Sequence, residues 1–136
     1  MAVYTVPAAD VERRLWSGLL SLGRALMALF FARQATRWPV GCTYGAAGGS
    51  TVVGTETAVV GTRFGRVMVA MPVGMHRGDL HAARDFPLAR DLGLPAGFTL
   101  LVVTTMARLC AQMAFASARD LFRHLFEWTP SSRAVL

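Results

Sequence analysis

From Val11 onward, apolar side chains return at every third or fourth position: Val11, Leu15, Leu19, Leu22, Leu26 and Phe30. That spacing traces one face of an α-helix. Trp16, Leu20, Met27 and Phe31 widen the stripe beyond what one surface helix ordinarily buries. Asp10 reads as the N-cap, with Glu12 in the first turn where the helix dipole favours acid. Arg33 and Arg37 suit the C-terminal end, and Trp38-Pro39 stops the helix. A helix with so wide an apolar surface calls for a partner, and a second copy of the chain is one candidate.

After this helix the pattern changes. The segment GCTYGAAGGS, Gly41 to Ser50, reads as a flexible connector. Val53, Thr55, Thr57 and Val59 then alternate with Gly54, Glu56 and Ala58, the two-residue period of a strand. Gly61-Thr62-Arg63-Phe64-Gly65 supplies a turn, and Arg66 to Met71 a second strand that Pro72 and Gly74 are expected to end. From Gly74 to Pro95 no period emerges. Thr99 is placed to cap a helix running to about Ala114, and Ser117 with Asp120 to open another through Phe126. Thr129 and Pro130 have the residue types of an N-cap and first helical position, with only six residues following.

These elements predict an α+β, mainly α chain in three segments. Residues 1–40 form a long amphipathic helix. Residues 41–97 hold a glycine-rich linker, a β-hairpin and an irregular segment. Residues 98–136 form a helical, helix-turn-helix-like region whose last helix is cut at Leu136.

Composition adds a charge. The 136 residues carry fourteen arginines, no lysine and eight acidic residues, giving +6, so a polyanion is the favoured partner. Cys42 and Cys110 lie far apart outside any CxxC pair, which points to a reducing cytoplasm. Two apolar stretches, Leu15 to Phe31 and Phe98 to Ala116, fall short of the ~20 uninterrupted apolar residues of a membrane span. Arg24 and Arg108 interrupt them, and a mid-bilayer arginine costs about 2.5–3.5 kcal/mol. A membrane partner is therefore not expected.

Catalytic chemistry is hard to find. GAAGGST has the glycines of a phosphate loop but lacks the lysine of GxxxxGK(S/T). His76, Asp79 and His81 have no convergent metal-ligand spacing, and Cys110 sits in an apolar helix like an inert thiol. Most carboxylates stand near an arginine in sequence and read as solvated ion pairs. No active site, metal site or small-molecule substrate is expected in this chain.

Five strings occur in order: GCTYG, GTRFGRV, FPLARDLGLPAGF, ARLCAQMAFASARDLF and FEWTPSSRAV. Together they resemble the N-terminal region of a group of bacterial insertion-sequence transposases, over roughly Cys42 to Leu136. The resemblance implies a DDE-type enzyme that cuts and joins DNA using Mg²⁺ held by carboxylates in a catalytic domain beyond Leu136. It implies that this chain is a non-catalytic fragment that binds DNA and assists assembly, with no cofactor of its own. Its expected DNA contacts are Arg63 and Arg66 on the hairpin and Arg119, Arg123 and Arg133 on the tail, mostly to phosphate. The alternative is a small membrane-associated or oligomerising helical protein without a nucleic-acid role, and its warrant is Leu15 to Phe31.

Overall fold

The computed structural model describes residues 5–78 and 84–131. It is an α+β chain: a long N-terminal helix, a small antiparallel sheet and a C-terminal helical pair. Helix α1, Ala8–Ala35, is about 42 Å long at 1.5 Å per residue. It begins two residues before Asp10, after Pro7, with no side-chain cap. Asp10 lies inside the first turn and pairs with Arg13 at 2.9 Å, so its carboxylate serves a neighbour rather than the helix end.

The segment expected to be a loose connector is part of the sheet. Strand β1, Thr43–Tyr44, pairs with β2, Ser50–Thr62, which pairs in turn with β3, Gly65–His76. Backbone bonds from Gly41 to Val52 (2.8 Å) and from Val52 to Cys42 (2.9 Å) extend the attachment upstream. Tyr44 explains why a glycine-dense run holds a fixed course: its buried ring packs edge-on against Trp38, and its hydroxyl donates to Asp85 Oδ2 at 2.9 Å. A side chain at Gly74 would collide with that hydroxyl, so the close approach requires glycine there.

Strand β3 also outlasts its expected end, running through Pro72 to His76. It is an edge strand, and Gly74 exchanges both backbone bonds with Asp85 on the side away from β2. Pro72, two residues earlier, directs its nitrogen to that same side, where the missing N–H removes no bond to β2. Alternation then sorts the strand. Val67, Val69 and Met71 point inward with Val60 from β2, while Arg66 and Met68 face solvent.

Phe31 of α1 completes this first core together with Leu88 of the short helix α2, Pro87–Asp91. The face of α1 that packs is thus Leu20, Gly23, Met27 and Phe31; the regular leucine stripe faces outward. The sheet selects the less regular face because Gly23 leaves room for the ring of Phe64 at the hairpin tip.

A second core joins α3, Leu100–Cys110, to α4, Phe115–Phe126, through Val102, Met106, Ala118 and Phe122. Helix α4 starts two residues before the expected Ser117 because Phe115 belongs to the same apolar cluster. Thr99 precedes α3 as expected but caps with no side-chain bond; its N–H donates instead to the Gly61 carbonyl at 2.9 Å. Glu127 ends α4 in the left-handed conformation at φ 60°. Trp128 to Ser131 continue without helical structure and Pro130 is buried, so the helix expected from Thr129 does not begin within these residues. The rest of that expectation, 132–136, lies outside the described residues. Between the two cores an apolar cleft of about 230 Å³ is lined by Trp16, Leu20, Met27, Phe64, Leu101 and Phe126.

Candidate nucleic-acid interface

The hairpin turn is built by its own threonine. Thr62 is buried; its Oγ1 accepts from the Phe64 N–H (3.2 Å) and donates to the Gly65 carbonyl (2.8 Å). Gly65 has φ 129°, a region that disfavours a Cβ, and the Arg24 side chain from α1 fills the space beside it. The turn therefore holds Arg63 and Arg66 on short, ordered backbone with Arg24 against it.

Aromatic rings of the tail support both hairpin arginines. The Arg63 guanidinium carbon lies 5.5 Å from the centre of the Phe126 ring, and that of Arg66 lies 5.9 Å from Trp128. Such contacts orient a guanidinium while leaving its N–H groups free to bind an anion. Trp128 is itself fixed by stacking on Phe98 and by an edge contact with Phe122. Beneath Arg66, a cleft of about 450 Å³ opens between Val59, Phe98 and Trp128.

Residues 119, 123 and 126 share one face of α4, being four and three residues apart. Arg119 and Arg123 thus lead along the helix to Phe126, where Arg63 sits, and Arg66 follows at Trp128. Four of the five expected DNA contacts fall into one row; Arg133 lies outside the described residues. They are not equivalent. Arg119 is half-buried over the Phe115 ring, and its Nε has no hydrogen-bond partner among the described residues. Arg123 pairs with Asp120 at 3.5 Å, a solvent-exposed contact of little strength. Arg24, Arg63 and Arg66 have no carboxylate within 4 Å among the described residues.

Sequence alone marks Arg24 only as an interruption of an apolar stretch. The available signal was its phase: nine residues separate it from Leu15, two and a half helical turns, so it stands opposite the leucine stripe. Elsewhere, His76 lies 3.5 Å from Ser50 Oγ, while Asp79 and His81 are outside the described residues. Cys42 and Cys110 are half-buried free thiols. Among the described residues no three His, Cys, Asp or Glu side chains gather as a metal site would need. Burial raises the pKa of the Tyr44 hydroxyl above its ordinary value, and its hydrogen bond to the Asp85 carboxylate raises it further.

No family model matches the chain, and no curated protein or solved structure is found to match it.

Proposed function

We propose that this chain is a non-catalytic DNA-binding and assembly region of a DDE-type insertion-sequence transposase. The observation that carries the DNA reading is the arginine row, above all Arg24, Arg63 and Arg66 around one rigid turn without a neighbouring acid. Guanidinium groups without a carboxylate partner, two of them held by rings, meet a phosphate backbone without first breaking an ion pair. The resemblance of the ordered strings supplies the transposase part, and its GTRFGRV string coincides with the turn that carries Arg63 and Arg66. Cutting and joining would fall to Mg²⁺ held by carboxylates of a separate domain; no residue here is assigned to a metal.

Binding would be largely independent of sequence and steep in salt. Five phosphate contacts, from Arg24, Arg63, Arg66, Arg119 and Arg123, give a slope of about −4.5 in log K against log salt, or a loss of about 500-fold between 50 and 200 mM. Fluorescence anisotropy on a labelled 30-base-pair duplex reads this directly. Replacing Arg24, Arg63 and Arg66 together by alanine should flatten the slope by about 2.7. No binding at 50 mM salt ends the DNA reading.

A second reading, a membrane-associated helical protein, draws on α1. Its apolar window has mean hydropathy 1.5 and is only 17% buried, which is long and apolar enough to cross a bilayer by length and composition. Against it, the opposite face of the same helix packs on β3 and carries Arg24 at mid-length.

A further inference from the structure

We infer that α1 pairs with α1 of a second copy of this chain, antiparallel, through its outward leucine face. Leu15, Leu19, Leu22, Leu26 and Leu29 follow one another at intervals of four, three, four and three residues, the seam of a coiled coil. Each keeps 56–64% of its surface exposed. Leu22 lies nine residues before Phe31, half a rotation away around the helix, so one face seats in the core while the other stays bare. The buried face packs α1 against β3, which leaves the leucine face outward.

The occupant can be chosen by area and by charge. Five leucines with Val11 and Phe30, each roughly half exposed, offer about 700 Å² per copy, or about 1,400 Å² in a pair, within the ~1,200–2,000 Å² of stable interfaces. A second copy therefore covers the face with nothing further required. Two charged residues bracket the leucines on this face: Glu12 at one end and Arg33 at the other, neither ion-paired among the described residues. An antiparallel pair centred near Leu22 sets Leu15 opposite the partner's Leu29, Leu19 opposite the partner's Leu26, and Glu12 beside the partner's Arg33. A parallel pair would oppose glutamate to glutamate and arginine to arginine. Charge complementarity selects the antiparallel arrangement. Gly18, Ala25 and Ala32 run along one flank at seven-residue intervals and let two backbones come close.

The inference stands apart from the DNA reading, since the face involved contains none of the proposed DNA contacts. Sedimentation equilibrium of the whole chain without DNA, from about 1 to 100 μM, should return twice the 14.7 kDa chain mass. Leu22→Arg should remain at one chain mass with an unchanged circular dichroism spectrum, because Leu22 is exposed in the single copy. Glu12→Arg and Arg33→Glu should each raise Kd about tenfold, and the double variant should return it to the parent value. A single-chain mass at every concentration overturns the inference, as does dimerisation that Leu22→Arg leaves intact. Failure of the double charge reversal to restore Kd overturns the antiparallel arrangement. Flotation of single chains with phosphatidylcholine–phosphatidylglycerol vesicles would assign the face to a lipid surface instead.

Discussion

Two glycines of α1 receive the same substitution and should answer with opposite signs. At Gly18 an added Cβ meets nothing within 4 Å, so Gly18→Ala gains the ordinary helix preference of about 0.8–1 kcal/mol. At Gly23 the Cβ falls 2.2–2.7 Å from three carbons of the Phe64 ring. One escape is to strain the contact, and overpacking costs about 1–3 kcal/mol. The other is to swing the ring out. Phe64 is 41% exposed, so it would give up the rest of its cover, part of the ~1.5–3 kcal/mol of a fully buried phenylalanine. It would also bare Leu20 and Met27 beside it. Either route at about 2–3 kcal/mol exceeds the propensity gain, leaving Gly23→Ala destabilised by about 1–2 kcal/mol. Thermal unfolding should show Gly18→Ala about 3 °C above the parent and Gly23→Ala about 4–8 °C below it. Making both substitutions in the Leu22→Arg background keeps the leucine face, which Gly18 adjoins, out of the comparison. Equal stabilisation by both substitutions would refute the claim that Phe64 locks the hairpin tip to α1.

Three further outcomes follow from the packing. Phe31→Ala, at a side chain only 1% exposed in the first core, should cost about 3–5 kcal/mol in urea unfolding, whereas Met68→Ala on the solvent face of the sheet should stay within about 0.5 kcal/mol. Thr62→Val keeps the shape but removes both hydroxyl bonds of the turn, for a loss of about 1–3 kcal/mol, and Thr62→Ser should recover most of it. Tyr44 titrates above the usual tyrosine value of 10.0, so its contribution is complete below pH 10 and fades as pH rises through its folded value. Unfolding midpoints should therefore fall more steeply above pH 10 for the parent than for Tyr44→Phe, and parallel curves would contradict the raised value.

The period of the helix was legible, but the side it buries was not. Leucines at regular intervals mark a surface fit for pairing with another helix, while burial against a twisted sheet tolerates the mixed sizes of Leu20, Gly23, Met27 and Phe31. The hairpin turn was readable from its glycines, yet its strands ran further at both ends. Pro72 is harmless only on an edge strand, and edge position depends on pairing far along the chain. The connector was misread for a similar reason: Tyr44 is anchored by Asp85, forty-one positions away. Of the arginines, Arg63 and Arg66 declared themselves by standing in and just after the turn. Arg24 joined them through tertiary packing of α1, which no local pattern encodes.

The Thr99–Gly61 bond, the Phe98 and Trp128 rings against Gly61, and the Arg63–Phe126 and Arg66–Trp128 contacts link the hairpin to the α3–α4 core. The side chains gather in two clusters with a cleft between them, so the expected order of local opening is the helical pair before the sheet. The arginine row crosses that seam, with Arg63 and Arg66 anchored on one side and Arg119 and Arg123 on the other. A polyanion lying along the row would therefore act as a splint. Its signature would be slowed amide exchange throughout α3 and α4, including at residues it never touches.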